Sequence, residues 1–339
     1  MTDVTIIVLE STLPSTAIIP LEIFASTGVI WQMLRGLKPD PQFRTHAVSI
    51  DGRPTRHAVP IRVVPQGSLR DVKRTDLIVV PSAEYDLDTA LAANAPLIPW
   101  LRRMHARGVA IAGVCTGAAL LAEAGILDGR LATTHWAVEE VYRRRYPRVR
   151  WQTERFVTES HNVFCGGGVY AAIDLSLYLV EAYCGHEAAV QTAKALLLET
   201  PRIWQASYAV HAPHTKHDDE PIQKTQTWMF RNFRENLGVD ELAARAGMSP
   251  RNFARRFKAA TGENPLGYLH RVRIDAARHL LESKAKSIAE ISSAVGYQDQ
   301  NFFRRLFQRY AGIAPRAYRA RFGPDATRTR RRKVSSRAA

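Results

Sequence analysis

The chain has 339 residues, enough for two domains, and its 46% hydrophobic and 23% charged content excludes wholesale disorder. The net charge of +15 lies wholly in residues 220–339, with 25 basic and 10 acidic side chains against 22 of each before them. That separation implies a nucleic-acid-binding module joined to a neutral partner.

No apolar stretch approaches the length of a membrane span, and no signal peptide is read at the start. Three cysteines without a C-x-x-C pair point to a reducing, cytoplasmic setting. In chain order, Val4–Leu9 reads as a strand, Pro20–Leu34 as a helix, and Thr45–Ile50, Ile61–Val64 and Asp76–Val80 as further strands. Ala90–Arg107 has helical spacing, Val109–Val114 is a buried strand, and Thr116–Ala124 is a helix stopped at Gly125. A strand ending at Val163–Phe164 turns through Gly166–Gly168 into a helix over Val169–Tyr183, and His186–Thr200 is one more. Apolar strands alternating with helices predict a mostly parallel sheet covered on both faces. Residues 205–221, rich in proline, histidine and acid, predict a linker. His211, His214 and His217 stand three apart there, but with no helix or tight turn to converge them they read as solvated, and no metal is expected.

Beyond the linker a unit repeats. Val239–Gly247 matches Ile288–Gly296 at an offset of 49. Past the turn the offset is 50, pairing Phe253 with Phe303, Phe257 with Phe307, Gly262 with Gly312, and Tyr268 with Tyr318. A one-residue insertion in the second turn accounts for the change. Helix, glycine-containing turn and helix make the helix-turn-helix pattern, with Val272–Leu281 as the helix between copies. Ser249 caps the first recognition helix, with Pro250 at its first position. Arg251 and Arg255 share one face, and Phe253 and Phe257 the buried one. Asn301 and Arg305 take the matching positions in the second copy. Arginine suits guanine and asparagine adenine, whereas Arg256, Lys258, Arg304 and Arg309 lie nearer the edges, as phosphate contacts do. Asn252 and Gln300 complete the expected DNA-facing set. Residues 323–339 form a basic tail without apolar periodicity, expected to be disordered.

Residues 222–322 resemble the AraC/XylS-type DNA-binding domain. The signature runs from Ile288-Ala289-Glu290-Ile291 through Gly296-Tyr297 and Phe302-Phe303-Arg304-Arg305-Leu306-Phe307 to Gly312-Ile313-Ala314-Pro315-Arg316-Ala317-Tyr318-Arg319. The resemblance implies two helix-turn-helices in successive major-groove turns of double-stranded DNA, with activation of transcription through RNA polymerase as the usual outcome.

In the first part, Cys115 directly follows the strand Val109–Val114 and opens a helix, the arrangement of a nucleophile elbow at the carboxyl edge of a parallel sheet. A helix N-terminus there favours a thiolate, and His135, in Thr133-Thr134-His135-Trp136, is the candidate base. With the Gly166–Gly168 turn, these residues make positions 4–200 similar to the PfpI-type, class I glutamine amidotransferase-like domain, a flavodoxin-like α/β sandwich. Joined to an AraC-type module, such a domain resembles the GlxA-like regulator group, which implies a response to small nitrogenous metabolites such as amino acids or betaines. One position departs: the superfamily's enzymes carry an acid four residues before a proline that here is Pro20, and that position is Thr16. Glu10 and Glu22 do not fall at the matching place.

A degenerate elbow favours a ligand pocket over a reaction centre. Residues 1–204 are accordingly expected to form a sensor and dimerisation domain without a cofactor. Loops at the carboxyl ends of strands should line its pocket: Ser11, Thr12, Ser82, Ala83, Glu84, Cys115, Thr116, His135 and Trp136. Trp136 offers a ring face to a cationic amine and Glu84 a counter-charge. Two other readings stand beside it: a Cys115-dependent hydrolase or hydratase fused to a DNA-binding module, and a pure dimerisation scaffold.

Overall fold

The computed structural model describes residues 1–198, 217–283 and 286–323, and the chain divides into two units, Met1–Gln205 and Ala206–Ala339. In the first unit, alternation along the strands sets the architecture. The elements are β1 (Thr2–Ile7), α1 (Ser15–Ser26), α2 (Ile30–Leu34), β2 (Phe43–Ser49), β3 (Thr55–Arg56), β4 (Arg62–Val63), β5 (Gly67–Ser68), β6 (Leu77–Val80), α3 (Leu87–Ala93) and α4 (Leu97–Ala106). They continue with β7 (Ala110–Val114), α5 (Ala118–Glu123), β8 (Leu131–Ala132), α6 (Glu139–Arg145), β9 (Arg150–Trp151), β10 (Val157–Ser160), β11 (Val163–Gly166), α7 (Ala171–Cys184) and α8 (His186–Ala195).

Seven strands form one sheet in the order β10-β11-β7-β6-β1-β2-β5, parallel throughout except for the β10–β11 pair. Successive side chains of a strand point to opposite faces, and β6 shows the consequence. Ile78 and Val80 enter a core with α3, α4, α5 and α6, while Leu77 and Val79 enter a second core with α1, α7 and α8. The flavodoxin-like α/β sandwich expected from the sequence is therefore present. At the carboxyl edge, β1, β6, β7 and β11 end side by side, so the loops after them converge.

Several boundaries differ from the sequence expectation, for local reasons. Ile61–Val64 supplies only β4, which pairs with β3 in a separate ribbon, and Val64 is 73% exposed. The helix expected over Ala90–Arg107 is two, because the turn Asn94-Ala95-Pro96 interrupts it, with Asn94 Nδ2 donating to the Ala90 carbonyl. Pro20 lies inside α1 instead of starting it, and the helix ends where the Thr27 hydroxyl donates to the Ile23 carbonyl.

The second unit is helical in its described residues: α9 (Glu220–Asn232), α10 (Val239–Arg245), α11 (Pro250–Thr261), α12 (Pro265–Ser283), α13 (Ile288–Ala294), α14 (Gln300–Ala311) and α15 (Pro315–Phe322). The repeat is visible in its rings. Phe257 meets Tyr268 with centroids 5.4 Å apart, and Phe307 meets Tyr318 at the same 5.4 Å. The amino-terminal half of α12 (Tyr268, Leu269, Val272) belongs to the core of the first copy, and the other half (Ile274, Ala277, Leu281) to that of the second. Between the halves, buried Arg273 donates to the carbonyls of Phe233 and Glu235 at 2.7 and 2.6 Å, closing the carboxyl end of α9. Residues 219–221, expected in the linker, are the cap and first turn of α9. His211, His214 and residues 324–339 lie outside the described residues. His217 is hydrogen-bonded to Gln226 at 2.8 Å, and no cluster suited to a metal occurs among the described residues.

Candidate functional site

Cys115 sits between β7 and α5 with φ +55°, the left-handed backbone that an elbow demands and that a non-glycine residue adopts only where its surroundings impose it. Close packing imposes it here. A Cβ on Gly117 would stand 2.1 Å from the Pro81 carbonyl, so only glycine lets the elbow approach the exit of β6. The Thr116 hydroxyl donates to the Ala83 carbonyl at 2.6 Å, and the Thr134 hydroxyl donates to the Cys115 carbonyl at 2.9 Å. Loops from β6, β7 and the Thr-Thr-His segment are thus stitched together.

The electrostatics are not those of a nucleophile. Burial pushes the Cys115 thiol up to about 11, opposed by the amide and hydroxyl of Thr116. Thr16, in the place of the missing acid, is fully buried, and its hydroxyl donates to the Leu13 carbonyl at 2.8 Å while accepting from the Ser82 amide at 3.1 Å. It ties α1 to the exit of β6. Glu10 accepts from the Arg56 amide at 3.0 Å, in the β3–β4 ribbon, and Glu22 is exposed on α1; neither replaces the acid. Among the described residues no hydrogen bond joins Cys115 to His135.

The expected pocket residues fall into two groups. Thr12, Ser82, Ala83 and Thr116 are buried, and their polar groups are used in holding the loops. Ser11 is exposed with φ +56°, its amide bonded to the Arg56 carbonyl. Glu84, His135 and Trp136 are half-buried and line the outer face. Sequence reasoning missed Tyr85, which is 60% exposed and whose hydroxyl meets His135 Nδ1 at 3.1 Å. Its position just beyond Ser82–Glu84, in the same loop at the sheet edge, was the available signal. Nδ1 also accepts from the Ala137 amide at 3.2 Å, which leaves the proton on Nε2, and burial lowers the imidazole pKa and keeps the ring neutral. The His135 ring lies 5.9 Å from Tyr85 and 5.2 Å from Trp136, and a Cβ on Gly168 would be 3.7 Å from it. The result is an aromatic cluster over the elbow, with Glu84 in the same loop as Tyr85. A separate cavity of about 370 Å³ lies at the far end of α5, beside Arg102, Glu123 and Tyr146.

In the second unit each recognition helix is capped at both ends. Ser249 accepts from the Asn252 amide at the start of α11, and Asp299 accepts from the amides of Asn301 and Phe302 at the start of α14. Gly262 and Gly312 close the two helices in the left-handed conformation. Phe253, Phe257, Phe303 and Phe307 are fully buried. The opposite faces leave Arg251 and Arg255, and Gln300, Asn301, Arg304 and Arg305, exposed, with Asn252 half-buried and bonded to Arg255 at 3.0 Å. Arg256, expected nearer the edge of the DNA-facing set, is half-buried. It points into the unit, where Nε and Nη2 donate to the Asp219 carboxylate at 2.9 and 2.8 Å. The partner, 37 positions away, lay beyond what helical spacing reveals.

Comparison with known proteins follows the same division. The DJ-1/PfpI family matches residues 4–182, and a helix-turn-helix domain family matches residues 242–321. The HTH-type transcriptional regulator CdhR of Pseudomonas aeruginosa is 29% identical over 279 residues, 82% of each chain. The HTH-type transcriptional regulator GlxA of Rhizobium meliloti is 30% identical over 228 residues, which is 66% of this chain and 69% of that one. A candidate transcriptional regulator from Vibrio parahaemolyticus has a crystal structure that superposes with a TM-score of 0.50 at 22% identity, over 57% of this chain and 98% of that one. With a DJ-1/PfpI unit leading into a double helix-turn-helix, the chain belongs to the GlxA-like transcriptional regulators of the AraC/XylS type.

Proposed function

We propose that this chain is a sequence-specific activator of transcription in the cytoplasm, controlled by a small nitrogenous metabolite bound over the elbow of its first unit. The observation that carries the ligand half is the cluster of Tyr85, His135 and Trp136, with Glu84 in the same loop. Aromatic faces and a carboxylate attract an organic cation, and a neutral imidazole adds no opposing charge. The DNA half rests on the duplicated recognition helices, whose arginine, asparagine and glutamine side chains stand opposite buried phenylalanines. A homodimer reading paired half-sites and contacting RNA polymerase completes the reading.

The hydrolase or hydratase alternative is disfavoured by the thiol held neutral at physiological pH and by Thr16, whose hydroxyl is engaged elsewhere. A thermal-shift screen of the full chain against amino acids, small amines and betaines separates the readings. A ligand at a hundred times its Kd adds about 2.7 kcal/mol of stability. A hit recovered intact, and lost in a variant with Tyr85→Ala and Trp136→Ala, is the expected result. A hit that is consumed, with turnover abolished by Cys115→Ala, would establish the enzyme instead.

A further inference from the structure

The two copies differ at one position in a way that assigns a role to Arg256. With the offset of 50, Arg256 on α11 corresponds to Leu306 on α14. Leu306 is 8% exposed and packed into the second core, so this position looks inward. Arg256 keeps that direction and meets a carboxylate instead of a core. Asp219, its partner, is the N-cap of α9 and accepts from the Ile222 amide at 3.3 Å. Two residues earlier, His217 Nδ1 accepts from the Asp219 amide at 3.2 Å, and Nε2 bonds the buried Gln226 at 2.8 Å. Residues 217–219 are thereby fastened to α9 and, through the ion pair, to the recognition helix α11. A bidentate arginine–carboxylate pair fixes direction as well as distance.

We propose that Asp219 and Arg256 are a positioning pair that sets the seat of α11 against α9, and so the presentation of Arg251 and Arg255 to DNA, while neither member touches DNA. The inference rests on reading α11 as a recognition helix. It makes the start of α9, and not the helix-turn-helix alone, part of the DNA-reading apparatus.

The test uses the full chain and a fluorescent duplex that the wild-type chain selects from a randomised pool, with binding measured across a salt series. Asp219→Asn keeps an N-cap side chain and removes the ion pair. Arg256→Leu installs the residue of the second copy and leaves the Asp219 carboxylate without its partner. Each variant should lose about tenfold in affinity, with the salt slope and melting temperature unchanged, and the double variant should lose no more than either single one. Asp219→Asn binding as tightly as wild type or tighter would overturn the proposal. So would a salt slope shallower by about one phosphate contact in Arg256→Leu, which would make Arg256 a phosphate ligand. A fall in melting temperature that accounts for the lost binding would also overturn it, reducing the pair to a general stabilising contact. Arg255→Ala is the control: unchanged affinity and base preference would sink the recognition-helix reading, and the proposal with it, whatever Asp219→Asn does.

Discussion

With its thiol pushed up to about 11, Cys115 is ionised at pH 7 to about one part in ten thousand, against a few per cent for a free cysteine. Iodoacetamide at pH 8 should therefore label Cys115 at least about a hundredfold more slowly in the folded chain than after unfolding in urea, as read by peptide mass spectrometry. Labelling at the unfolded rate would mean that the elbow is open and its thiolate accessible. The departure from the family pattern at Thr16 was legible in the sequence, because the spacing to Pro20 located it. What Thr16 does instead was not, since Ser82 lies 66 positions away and only the sheet brings α1 to the exit of β6. The same limit hid the partner of Arg256. A weaker clue existed, for Arg256 stands three residues after Phe253 and so on the flank of the buried stripe, and its counterpart is a leucine.

Among the elements, α12 is held at its midpoint by a charged side chain. Arg273 is buried, and its guanidinium donates to two carbonyls just past the end of α9. Arg273→Ala should destabilise the second unit by about 3 kcal/mol, since each hydrogen bond from a charged donor contributes about 1.5–3 kcal/mol. For a unit of roughly 100 residues this lowers its transition by more than about 10 °C, measured by calorimetry of the full chain. A shift within error would show that water or another donor takes the place of Arg273. Element identity was read well where periodicity was long, as in α7 and the repeated helices. It failed where a few residues decide the outcome: the Asn94-Ala95-Pro96 break, Pro20 within α1, and the short ribbon made from a segment with the residues of a strand.

At the scale of the whole molecule, charge and repetition reveal the division of labour before any coordinates do. A neutral sheet unit and a basic helical unit each carry their own signature. The proposed ligand face is harder to read, because its aromatic cluster joins loops that are far apart in the chain and meet only at the carboxyl edge of the sheet. The second unit has a simpler geometry with a stricter consequence. Its two copies are threaded on one helix, α12, of 19 residues, a rod of about 28 Å. A rod fixes phase as well as length. One alanine inserted between Arg273 and Ile274 would advance the second copy by about 1.5 Å and turn it by about 100° relative to the first. Circular dichroism should then show the helices retained, while affinity for the selected duplex falls to that of one copy alone. Full affinity after the insertion would mean that the copies find their grooves independently. Otherwise α12 is the ruler of this regulator, and the distance and angle between its two recognition helices are written in the length of the helix that joins them.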